Sequence, residues 1–269
     1  MPTYFNQEPR GFSFNIGMTP GIKLLLIVNI VVFMITSFQP GIGGPLGLTP
    51  AIVVKGAIWQ LFTYQFLHAG IGHILFNMLS LWMFGTAVEG AWGQRRFLRF
   101  YLTCGTGAGL CVLMMAYIFG SPGERLVTTV GASGAIYAVL MAFGIMYPNA
   151  PVLLFFLFPV PARWAVVIFG AIAFFGFSGG GGTISHIAHL GGLLVGYIYM
   201  RSSGLGGSPY TGYRRPAWSR WTRWLTRWFS WEEWRIALAG WRRRRLRKKF
   251  DVYMRQTGGE RRDRDDYIQ

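Results

Sequence analysis

Acidic residues are nearly missing from most of this 269-residue chain: the first 200 positions hold only Glu8, Glu89 and Glu124. That leaves little from which to build the acidic member of a catalytic triad. Cysteine is scarce too. Cys104 and Cys111 are the only two, and they lie two helical turns apart in one apolar segment, too far for a disulfide within a helix. They say little about the redox compartment. No His-Glu-x-x-His pattern occurs, which disfavours a zinc protease of that kind. No A-x-A-like site follows the first apolar segment, so that segment does not read as a signal peptide. Apolar residues are abundant instead. The chain is 52% hydrophobic and 13% charged, with mean hydropathy +0.35, which points to a polytopic membrane protein.

Six apolar segments follow one another, at about 21–38, 71–88, 97–119, 127–147, 162–177 and 183–200. Each approaches the roughly 20 residues that cross ~30 Å of hydrocarbon. The expected fold is all-α, a bundle of six transmembrane helices. Residues 40–59 and 152–158 are apolar but broken by Gly and Pro or followed by them, and read as loops lying partly in the interface. Arg95, Arg96 and Arg99 cluster between the second and third spans, and an arginine-rich tail follows the sixth. By the positive-inside rule both termini are then cytoplasmic, as in a plasma (inner) membrane protein.

This topology sets the depth of the polar side chains. Ser133 and His189 each lie six residues inside a span that starts outside, roughly 9 Å at 1.5 Å per residue. His73 and Asn77 occupy the first two turns of the second span, which also starts outside. Singly, each has an ordinary reading. Gly131-x-x-Gly134 and Gly192-x3-Gly196 suit close helix packing. A serine in a span usually bonds its own backbone, and an intramembrane histidine can be a satisfied interhelical bond, though it is a functional candidate by default. Together they form a constellation, because all four histidines (His68, His73, His186 and His189) gather at the outer ends of spans two and six.

Over roughly residues 20–200 the chain resembles the rhomboid family of intramembrane serine proteases. The resemblance rests on His68-x4-His73-x3-Asn77, on Gly131-x-Ser133-Gly134, and on Ala188-His189-x-Gly191-Gly192-x3-Gly196. It implies Ser133 as nucleophile and His189 as general base, with an oxyanion site from the side chains of His73 and Asn77 and the backbone N–H of Ser133. It also implies that Tyr137 packs against the histidine. In the first loop this chain has Trp59-Gln60 where many members have Trp-Arg, a change at a loop-supporting position.

The residues supply their own chemistry beside the resemblance. A serine hydroxyl needs an adjacent base. Glu89 lies 16 residues past His73, ~24 Å along a helix, and Glu124 sits in an outer loop. A Ser–His dyad is therefore expected, with no cofactor and no metal, and with Tyr137 orienting the imidazole by packing. The run Gly179–Gly182 before the sixth span suits either a mobile lid or a plain connection, and Phe174, Phe175 and Phe177 could form a lateral gate for a substrate helix.

The expected domains are a cytoplasmic segment 1–20, the catalytic bundle 21–200, a linker 201–216, a Trp/Arg-rich amphipathic segment 217–249, and a disordered end 250–269. Of the 26 Lys and Arg, 18 follow residue 200, against 7 of the 10 acids, a net +11 there. Trp218, Trp221, Trp224, Trp228 and Trp231 share one side of a helix, and Arg242 to Arg245 follow. Anionic lipid is the expected partner of this tail, ahead of RNA, and membrane proteins are the expected substrates. A catalytically silent relative that binds membrane helices, and a metal-binding protein using His186, His189 and the histidines of span two, are the alternatives.

Overall fold

A proline at position 20 pre-sets the first turn of α1 (Pro20–Phe38). The N-cap residue Thr19 makes no side-chain cap of its own. The carboxylate of Glu89, on a different helix, takes that place. It accepts from Gly21 N at 2.7 Å, Ile22 N at 2.8 Å and Thr19 Oγ1 at 2.5 Å. A negative charge is stabilised at a helix N-terminus by the unpaired N–H groups there, which accounts for a glutamate only 2% exposed. Gly21 makes the approach possible, since a Cβ would stand 2.8 Å from the carboxylate.

The computed structural model describes residues 17–154, 157–178 and 183–205. Expectations for 217–249, for the end 250–269, for the run 179–182 and for most of 1–20 fall outside these residues. After α1 come α2 (Ile71–Trp92), α3 (Gln94–Ile118), α4 (Ser133–Met146), α5 (Ala162–Ser178) and α6 (Thr183–Ser203). Only Gly93, at φ +78°, separates α2 from α3, so both helices run closer to the turn than their hydropathy indicates. Among the described residues three helices, α1, α2 and α3, are long and apolar enough to cross a membrane. The outer face of α1 (Ile27, Ile30, Val31, Met34, Ile35) is apolar and exposed, as a lipid-facing surface must be.

α4 is the centre of the bundle. Ten of its fourteen residues are buried, and it packs against α2, α3, α5 and α6. Small residues bring α6 onto it: a Cβ on Gly192 would collide with the carbonyl oxygen of Gly134, and one on Gly196 would lie 2.8 Å from Ala138 Cα.

Two sequence expectations are corrected. The fourth helix begins at Ser133, not at 127. Residues 127–132 instead form a non-helical approach to it, held by the first loop. Leu48 and Thr129 exchange both backbone hydrogen bonds (3.0 and 2.8 Å), and Gly131 N donates to Tyr64 O at 3.0 Å. Apolar β-branched Val127 and Val130 keep the hydropathy high without making helix. The segment 152–158 is no mere loop, and the fold is not strictly all-α: β1 (Pro151–Leu154) pairs antiparallel with β2 (Phe158–Pro161). Val152 and Leu154 are buried on alternate positions, the period of a strand.

The first loop is a chain of short helical turns (Pro40–Ile42, Gly43–Leu46, Pro50–Val53, Gln60–Thr63, Tyr64–Phe66). Gln60 lies inside it, 1% exposed. Its Oε1 accepts from Thr49 N at 3.0 Å, and its Nε2 donates to Pro45 O at 3.2 Å. Trp59 Nε1 donates to the same carbonyl at 3.0 Å. The glutamine thus ties the loop together across eleven to fifteen residues, whereas Trp59 and Ile58 face outward.

Candidate active site

Ser133 is the first residue of α4, so its N–H is among those with no acceptor within the helix. The backbone that delivers it turns at Gly131, where φ is +130°, a conformation a side chain would strain. A Cβ at Gly131 would also meet His73 Nε2 at 2.8 Å and lie 3.6 Å from Ser133 Oγ. Glycine here allows His73 to close on the turn beside the serine.

His189 reaches the site from the second turn of α6. Its Nε2 is 2.8 Å from Ser133 Oγ. The hydroxyl donates in this bond when the imidazole carries its proton on Nδ1. The ring of Tyr137, one turn along α4 from Ser133, lies flat on that of His189, with centroids 4.2 Å apart and 3° between planes. A serine oxygen, an imidazole in hydrogen-bond reach and an aromatic face stacked on that imidazole are thus assembled from α4 and α6. The glycines at 134 and 192 let those helices approach this closely.

His73 and Asn77 come from α2. Ala69 N donates to His73 Nδ1 at 3.4 Å, which leaves Nε2 to carry the ring proton as a donor on the Gly131 side. Asn77 is 7% exposed, and its Nδ2 has no hydrogen-bond partner among the described residues. A buried donor without an acceptor is costly and calls for a reason. His68 packs edge-on to His73 (centroids 5.2 Å, 70°) from the loop before α2. Burial, and His73 beside it, push its pKa down to about 4, so it is neutral at pH 7.

The acids of the described residues are engaged elsewhere. Glu89 caps α1, and Glu124 accepts from Ser121 N at 2.6 Å in the loop before α4. Among the described residues no group of three or more His, Cys, Asp or Glu side chains is arranged to hold a metal ion.

Sequence reasoning passed over Tyr64. Its carbonyl anchors Gly131, its hydroxyl donates to Gly105 O at 2.7 Å, and it would lie 3.2 Å from a Cβ on Gly134. Its only sequence signal is a tyrosine four residues before His68, which has no meaning until the loop is folded.

A family model described as the rhomboid domain matches residues 55–203. The Rhomboid protease GluP of Bacillus subtilis is 35% identical over 155 residues, 58% of this chain and 28% of that protein. Rhomboid protein 1, mitochondrial, of Saccharomyces cerevisiae is 33% identical over 139 residues, 50% of this chain and 38% of that one. RHOMBOID-like protein 12, mitochondrial, of Arabidopsis thaliana is 31% identical over 154 residues, 54% of this chain and 46% of that one. The chain spans less than half the length of each of these relatives.

Proposed function

This chain belongs to the rhomboid family, and we propose that it is an intramembrane serine endopeptidase working through a Ser133–His189 dyad. The observation that carries the reading is the 2.8 Å contact between Ser133 Oγ and His189 Nε2. In this mechanism Ser133 Oγ attacks the scissile carbonyl carbon as its proton passes to Nε2. The oxyanion accepts hydrogen bonds from Ser133 N, His73 Nε2 and Asn77 Nδ2, a use for the Asn77 donor that has no partner at rest. His189 then gives the proton to the leaving amine, and the acyl-enzyme is hydrolysed by water activated by the same base. With no carboxylate at hand, stacking on Tyr137 orients the imidazole. No cofactor enters.

The six helices α1–α6 act as membrane spans, forming a catalytic bundle over 21–200 with the dyad near the outer leaflet. Transmembrane segments of membrane proteins are the substrates. The protein is an integral membrane protein. The arginines between α2 and α3 and beyond α6 favour cytoplasmic termini, and the plasma membrane is the proposed location, although two of the relatives above are named mitochondrial. The segment preceding α1 is cytoplasmic, the residues between the end of α6 and 216 are a linker, the Trp/Arg-rich segment 217–249 lies on anionic lipid and not on nucleic acid, and 250–269 is disordered.

The test is a fluorophosphonate serine-hydrolase probe together with cleavage of a model single-span substrate in detergent. Native protein should label at Ser133 and cleave; Ser133→Ala and His189→Ala should do neither while melting like the native protein. Absence of labelling in the native protein would make it a silent helix-binding relative, and activity dependent on added zinc would favour a histidine metal site.

A further inference from the structure

Helix α5 touches the surroundings of His189 at two points. Phe169 packs edge-on against Tyr137 (centroids 6.4 Å, 79°), and Tyr137 is the ring stacked on His189. Seven residues further along, Gly176 faces the ring of His186: a Cβ there would collide with Cε1 and would come within 2.5 Å of Nε2 and 2.8 Å of Nδ1. His186 in turn stands perpendicular to His189, with centroids 6.1 Å apart and 87° between planes. Residues seven apart lie on one stripe of a helix, so a single face of α5 backs both rings that flank the imidazole.

The His186 ring is held by shape. Its Nδ1 is buried with no hydrogen-bond partner among the described residues, a cost that an apolar residue at this position would not carry. The acids Glu89 and Glu124 are bonded elsewhere, so the imidazole of His189 depends on its neighbours for its orientation.

We propose that His186, seated on the bare backbone of α5 at Gly176, is a positioning residue that fixes the His189 imidazole together with Tyr137. It rests on the dyad reading above. Orientation of the base is thereby coupled to α5. His186 takes no proton and touches no substrate atom in this role.

The experiment measures the rate of fluorophosphonate labelling of Ser133 in the full chain in detergent, with a thermal melt of each variant. His186→Ala should label roughly tenfold to a hundredfold more slowly, the scale on which a misplaced catalytic group loses rate. His186→Phe, which keeps a ring on Gly176, should stay within about threefold of native. Gly176→Val should slow labelling as His186→Ala does, yet add less than about twofold in the His186→Ala background, because the two act through one contact. Gly176→Ala carries the same comparison if Gly176→Val does not melt cooperatively. The 15N resonances of the His189 imidazole should shift in His186→Ala and return in His186→Phe, a signature that general loosening of the bundle does not produce. Native labelling rates in His186→Ala, or a full Gly176→Val loss persisting without the His186 ring, overturn the proposal alone. A native protein that does not label at Ser133 overturns the dyad reading first.

Discussion

Asn77 is a buried amide whose Nδ2 donates to nothing among the described residues. An unmet donor of this kind costs about 1–3 kcal/mol, and in the proposed mechanism the cost is offset only when an oxyanion appears. Asn77→Leu should therefore keep or raise the melting temperature while lowering kcat by roughly 10²–10³. KM should change little, since the lost bonds exist only in the transition state. Kinetics on a model substrate beside a thermal melt checks both halves; a destabilised variant with native turnover would remove Asn77 from the oxyanion site. The residues of this site were legible in the sequence because their types are rare in a membrane. What the sequence withheld was their partners: Ala69 N on His73 Nδ1, and Gly131 as the space His73 needs.

Helix ends depend on what meets them. The N-terminus of α1 is closed by a carboxylate from the far end of α2, so two helices that touch in sequence only through a long loop are joined by one charged group. Glu89→Gln retains the shape and loses the charge. It should lower stability by roughly 1–2 kcal/mol, the range for a lost cap and its dipole interaction, with the probe-labelling rate of the folded fraction unchanged. Urea or thermal unfolding with labelling checks this; a native melt would show that the charge contributes nothing. Hydropathy put the fourth helix at 127–147, and the error at its start is instructive. Val127 and Val130 are as apolar as helix, but Thr129 between them is paired with Leu48, and Gly131 just beyond them donates to Tyr64 O. No local pattern announces a bond to a residue eighty positions earlier.

For the whole molecule, the apolar outer face of α1 suits a membrane. Because α6 continues to Ser203 and Met200 is buried, a truncation meant to spare the bundle belongs after Leu205, not after Met200. The truncated protein should still label at Ser133. A peptide of residues 217–249 should gain helicity on anionic vesicles and much less on neutral ones. Each basic residue near the surface contributes about 1 kcal/mol at low salt, so binding should weaken as salt shortens the Debye length. A truncated enzyme that folds and does not label would make the tail part of the catalytic machinery.

Composition alone determined the solvent of this protein, since a chain this apolar and this poor in acids cannot satisfy water along its length. Residue type and spacing singled out the polar side chains of the candidate site, but the expected depth of Ser133, six residues into a helix, does not hold, because that helix starts at Ser133 itself. Tertiary structure decided the rest. It set the 2.8 Å between Ser133 and His189, the flat stack of Tyr137, and the seat of His186 on Gly176. Those contacts join residues ten to fifty-six positions apart. They exist only where glycines let helix backbones approach, and such an approach is a property of two facing surfaces that neither segment encodes by itself.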